Sequence, residues 1–145
     1  MKRLRVFAVS SLLLLVIAGC ATVTSSNSFA VAMSNDEAVI IASSLTHFMA
    51  EQLPPASSTL AMAPMADNKT NTLNKTLHQQ LRKAGFEVAE SSQAIANAHA
   101  IRYLVTPLST GLLVRLQIDN REVTGWFPKN SNGLLQANSS FTVRE

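Results

Sequence analysis

Between Ser34 and Leu53 the apolar residues Ala38, Ile41, Ala42, Leu45, Phe48 and Met49 recur at steps that place them on one face of a helix. Ser34 and Glu37 stand at capping-box spacing, and Asp36 and Glu37 suit the positive end of the helix dipole. Pro54 and Pro55 end the segment, since proline has no amide proton and its ring clashes with the preceding turn. The short apolar run in "ASSTLAMA" then reads as a strand. A second helical pattern follows in "DNKTNTLNKTLHQQLRKAGFEVAE". Leu73, Leu77, Leu81 and Ala84 mark its buried face, Arg82 and Lys83 sit at its negative end, and Gly85 suits the C-cap. Phe86 and Val88 open a further strand.

After a polar, alanine-rich link the period changes from that of a helix to that of a strand. Ile101, Tyr103 and Val105 alternate, as do Leu112, Val114, Leu116 and Ile118, with "PLSTG" as the hairpin connection between them. "REVTGWFP" and "LLQANSSFTVRE" read as two more strands joined by the turn-rich "KNSNG". The order predicts an α+β domain, with two helices packed on one face of a small, mostly antiparallel sheet. Trp126 falls out of phase with Val123, Gly125 and Phe127. Either Trp126 or Phe127 therefore faces away from the helices, or the strand bends at Gly125 and buries both rings.

The first residues follow a different logic. "MKRLR" is a basic start, and "VFAVSSLLLLVI" is an apolar stretch of twelve residues, the layout of a secretory signal and short for a membrane span. An uncleaved anchor extending to Val23 is the competing reading. Ile17, Ala18 and Gly19 then precede Cys20, the only cysteine in the chain. "IAGC" resembles a bacterial lipobox, which implies cleavage before Cys20 and acylation of its thiol. Ala21 in place of Asp implies, by the same resemblance, sorting to the outer membrane with the domain facing the periplasm. Two or more acyl chains hold a protein stably where one does so only marginally. The expected divisions are a signal peptide over 1–19, a lipidated, flexible tether over 20–34, and one domain over 35–145. Phe29, Val31 and Met33 alternate within that tether, so it also reads as an extended segment able to dock.

Charge and chemistry narrow the function. The chain has 12 basic and 9 acidic residues, but Lys2, Arg3 and Arg5 lie in the signal, so the mature protein is formally neutral. It has no clustered cationic surplus to meet phosphates, and nucleic acid is not an expected partner. His47, His78 and His99 are spread over the first helix, the polar side of the second helix and the link before a strand. They read as surface or boundary side chains. No paired metal-ligand spacing, nucleophile elbow or glycine-rich phosphate loop occurs, so no catalytic residue, metal, cofactor or small-molecule substrate is expected.

"LPPASSTLAM", "LHQQLRKAGFEVAE", "IRYLV", "LLVRLQI" and the terminal "SSFTVRE" together resemble the TrbH family of conjugal transfer lipoproteins. The shared features fall on Pro54, Pro55, Ala56 and Thr59, on Leu81, Arg82, Gly85 and Phe86, and on Tyr103, Arg115, Arg144 and Glu145. The start of the second helix departs from the family pattern in being rich in Asn and Thr. The resemblance implies a structural part of a type IV secretion apparatus for mating-pair formation, held at the outer membrane among other protein subunits. Pro54, Pro55 and Trp126 are the candidate partner contacts. A general envelope lipoprotein that assists cell-wall or outer-membrane assembly is the alternative, and a small periplasmic hydrolase is a third reading.

Overall fold

The computed structural model describes residues 27–67, 71–90, 94–137 and 140–144; Ile17, Ala18, Gly19 and Cys20 lie outside them. The elements run β1 (Phe29–Ala30), α1 (Asn35–Gln52), a 3-10 turn (Pro55–Ser57), β2 (Thr59–Met62), α2 (Thr72–Lys83), β3 (Glu87–Glu90), β4 (Ala98–Leu108), β5 (Gly111–Ile118), β6 (Arg121–Pro128) and β7 (Phe141–Arg144). The strands form one open sheet in the order β3-β2-β4-β5-β6-β7, with β1 beside β4. The β4 to β7 meander is antiparallel, while β1, β2 and β3 pair in parallel.

Both helices lie on one face of this sheet, as the two periodicities predict. Ala38, Ile41, Ala42, Leu45 and Met49 of α1 and Leu73, Leu77 and Leu81 of α2 have no solvent exposure. They pack on Ile101, Tyr103, Val105, Val114, Leu116, Val123 and Phe127 from the sheet. The core is mostly aliphatic, and truncating one of these leucines to alanine costs about 2–5 kcal/mol. The capping box at Ser34 is formed in both directions, through Ser34 N to Glu37 Oε2 at 3.0 Å and Glu37 N to Ser34 Oγ at 3.2 Å. Lys129 Nζ lies 2.8 Å from Glu37 Oε1 and ties the start of α1 to the end of β6.

α2 ends in a Schellman turn. Gly85 takes φ +99°, its amide donates to Arg82 O, and the Phe86 amide donates to Leu81 O. Ala84, expected on the buried face, is the cap residue and is exposed. The Asn/Thr-rich start of the same helix has a packing reason. Asn71 caps α2 through its Oδ1, accepting from Leu73 N at 2.9 Å, and its Nδ2 donates to Ala30 O on β1 at 3.1 Å.

Two boundaries differ from the sequence expectation. The fold begins before residue 35, because Ser28 and Ala30 are buried and held in the sheet. Ser28 N donates to Pro64 O, Ser28 O accepts from Ala66 N, and Ser28 Oγ accepts from Tyr103 N. The last strand is also shorter than "LLQANSSFTVRE". Leu135 makes only an isolated bridge to Lys129, and Asn130 Oδ1 accepts from the amides of Asn132 and Leu134, closing a turn there.

Candidate functional site

Pro54 and Pro55 sit where α1 passes into the 3-10 turn. Proline at the first turn position is favoured because its ring presets φ and no partner is needed for its nitrogen. Ser58 Oγ donates to Pro54 O at 2.8 Å, which closes the turn on itself, and Glu87 N donates to Ser58 O, which fixes it to β3. A Cβ on Gly85 would stand 3.6 Å from Pro55 Cβ. The Pro-Pro-Ala and Leu-Arg-x-x-Gly segments therefore meet in space. Pro54 itself is exposed and Pro55 half-buried.

Trp126 lies on the other side of the sheet. Phe127 is fully buried under the helices, which turns Trp126 toward the face without helices, where it is partly exposed. The strand does not bury both rings. In register, Trp126 stands opposite Leu113 and Leu113 opposite Thr106; one level along, Arg115 stands between Leu104 and Thr124. Phe29 pairs with Leu104 from β1. Trp126 thus stands on one face of the sheet, whereas Pro54 and Pro55 sit at the junction of α1 with β2 and β3.

β7 ends the sheet on one side and presents a strand edge, with Val143 40% exposed. What holds β7 in place is Phe141. Its ring covers Gly125 on the neighbouring strand and packs against Phe48 with centroids 5.0 Å apart and against Phe127 edge-on at 6.2 Å. Phe48 is accordingly half-buried at the margin of the core.

The histidines do not converge. His47 is exposed and sits 3.5 Å from Glu51 one turn on. His78, expected on a polar surface, is largely buried on α2, with Nε2 3.8 Å from Glu90 and without a hydrogen bond. Burial of the ring holds its pKa below the usual value, with Glu90 opposing the shift and Arg82 reinforcing it. Beside it, the buried Tyr103 hydroxyl donates to Asn74 Oδ1 at 2.9 Å, and Asn74 Nδ2 donates to Glu90 at 3.0 Å. Burial raises the Tyr103 pKa, with Glu90 adding to it, so the hydroxyl stays protonated. An open cavity of about 380 Å³ is lined by Asn74, His78, Gln79, Arg82 and Glu90.

His99 lies within β4 rather than in a link. Its Nδ1 is 2.8 Å from Asp119 Oδ2, and Asp119 Oδ1 accepts from Ala100 N at 2.8 Å. Asp119 occupies the left-handed region at φ 54°, which Asp tolerates at a turn. Both carboxylate oxygens are thus used in fastening the β5–β6 turn to β4. A neighbouring cavity of about 230 Å³ is lined by Phe48, Leu53, Ile118, Val123 and Arg121 besides this pair. Among the described residues no group of three His, Cys, Asp or Glu side chains could hold a metal, and no helix is long and apolar enough to cross a membrane.

These features define a small α+β domain whose prominent surfaces are a sheet face that no described element covers and a strand edge, both suited to contact. Residues 20–145 match the family described as Conjugal transfer protein TrbH, and the chain belongs to that family. No curated protein and no solved structure matches it. Membership places the chain among proteins of conjugal transfer.

Proposed function

We propose that the mature protein is an outer-membrane lipoprotein, acylated at Cys20, that serves as a structural component of the conjugative type IV secretion apparatus. It holds partner subunits at the membrane and performs no chemistry of its own. The observation that carries this reading is the family match beginning at Cys20, the residue that follows the apolar run and Ile17-Ala18-Gly19. The architecture supports it. β1, where the chain from Cys20 enters the fold, pairs with β4, whereas β7 lies three strands beyond β4 on the opposite edge. At about 4.8 Å per strand, β1 and the free edge, four strand spacings apart, stand roughly 19 Å from each other. Such an arrangement keeps the β7 edge away from the point where the chain enters the fold and free to accept a partner strand by β-addition. The exposed Pro54 turn offers a second, rigid contact beside α2. The formal neutrality of the mature chain suits a protein that binds other proteins.

Mating frequency tests this. A donor deleted for the gene should lose transfer, the wild-type copy should restore it, and a Cys20→Ser copy should not. Full complementation by Cys20→Ser would remove the lipid from the mechanism, and unaltered transfer in the deletion would remove the protein from the apparatus.

A further inference from the structure

Among the described residues no element covers the second face of the sheet, and that face is amphipathic along its strands. Toward the β4–β5 turn it carries Phe29, Leu104, Leu108, Leu113 and Trp126. Toward the other end, Arg102, Gln117, Glu122 and Arg144 form a row across four strands. Arg115, exposed, lies at the boundary between the two halves. Phe29 is 38% exposed and Leu108 52%, so the apolar corner presents surface to water that a partner would cover. Trp126 leans across the same corner, its Cη2 lying 2.9 Å from where a Cβ on Gly111 would stand.

What covers this corner is indicated by the place where the chain enters the fold. The described residues begin at Asn27, beside Phe29. A lipid on Cys20 is therefore at most about 30 Å of extended chain from Phe29, at roughly 3.3–3.6 Å per residue. The chemistry agrees with a lipid surface. Indole rings favour the headgroup level because one edge is polar and the body apolar. Guanidinium groups bind phosphate in forked pairs, and this face carries Arg102, Arg115 and Arg144, with Glu122 on β6 and, at the far edge, Glu87 on β3 as its acids.

We propose that this corner rests on an anionic phospholipid surface, with Trp126, Phe29 and Leu108 at the headgroup–acyl boundary and Arg115 against lipid phosphates. The proposal rests on the reading that Cys20 is acylated, since the tether then raises the effective concentration of a weak second contact. The domain would lie with its sheet toward the bilayer and its helices toward the periplasm, leaving the β7 edge accessible from the side.

Trp126 is the only tryptophan in the chain, so its fluorescence reports on this corner alone. The purified protein, its acylation read by mass spectrometry, is placed in phosphatidylethanolamine/phosphatidylglycerol vesicles with brominated acyl chains. Trp126 should lose most of its emission relative to vesicles without bromine. Leu108→Asp should remove that loss while the protein stays folded by circular dichroism and attached to the vesicles. Unquenched Trp126 on acylated, vesicle-bound protein overturns the proposal and leaves the lipid anchor standing. If mass spectrometry shows no acyl chain, the anchor reading fails, and the same vesicles added to the unacylated chain decide the inference: quenching supports it and its absence overturns it. Emission that shifts to the blue with protein concentration without lipid, and is not quenched by it, assigns the corner to contacts between copies and also overturns the proposal.

Discussion

Gly125→Ala is the most informative single change in the fold. A Cβ at Gly125 would stand 2.7 Å from Phe141 Cε1 and 2.9 Å from Cδ1, so the ring must move or β6 must shift. Displacing the ring sacrifices its contacts with Phe48 and Phe127, each such aromatic pair contributing about 0.5–1.5 kcal/mol. The expected loss is therefore about 1–3 kcal/mol, in the range typical of overpacking. With an m-value of about 1–3 kcal/mol per molar urea, the unfolding midpoint should fall by roughly 1 M. Amide exchange should also localise the damage, with residues 141–144 losing protection ahead of β4 and β5. The decisive control is a double-mutant cycle. Once Phe141→Ala has removed the ring, Gly125→Ala should be neutral or stabilise by up to about 1 kcal/mol, because alanine loses less backbone freedom than glycine in a strand. An equal penalty in both backgrounds would refute the ring-on-glycine account of how β7 is held.

The remaining predictions concern the joints of the fold. Gly85→Ala meets only ordinary contact with Pro55 but must hold φ +99°, so it should cost about 1–2 kcal/mol by urea titration, and Gly85→Asn less. Tyr103→Phe leaves Asn74 Oδ1 without its buried donor and should cost about 1–3 kcal/mol, visible as a lower thermal midpoint with unchanged circular dichroism. Stability should decline from neutral pH toward about pH 4. His78 has a folded pKa below 6.5, so the unfolded chain binds the proton first and stability is lost as pH falls below that value. Glu37, held below 4.5 chiefly by its hydrogen bond with Lys129, contributes stability above that value that is lost as pH falls through its folded pKa. His78→Gln should flatten the upper part of the profile, and Lys129→Gln the lower.

Long periodic segments made most of this architecture legible. Leu73, Leu77 and Leu81 mark one helix face, and the alternation through β4, β5 and β6 marks one sheet face, because both patterns repeat often enough to fix their phase. The phase at Trp126 and Phe127 was open from sequence, and the register settles it by setting Phe127 beside the buried Leu112 and Trp126 beside Leu113. β1, β2 and β3 were harder. Strands of two to four residues carry little period, and their parallel pairing depends on partners far along the chain. Ser28 and Ala30 are held by backbone bonds within a Ser/Thr-rich stretch whose composition reads as tether, and only the alternation of Phe29, Val31 and Met33 hinted at a strand. His99 and Asp119 meet because the β4–β5 hairpin pairs Ile101 with Ile118, a coincidence no local spacing encodes. The burial of His78 is hidden from the sequence for a related reason, since β3 with Glu90 lies against a helix face that looks polar by itself.

The buried start of the fold has a mechanical consequence. Force arriving from the N-terminal side reaches the domain at Ser28, which is bonded at once to Pro64, Ala66 and Tyr103, and then at β1, which lies parallel to β4. A pull along that strand axis loads these hydrogen bonds in shear, so that several must fail together, instead of peeling them open one after another. Tension from the N-terminal side is thereby delivered to β4, the longest strand of the sheet, and through it to the core.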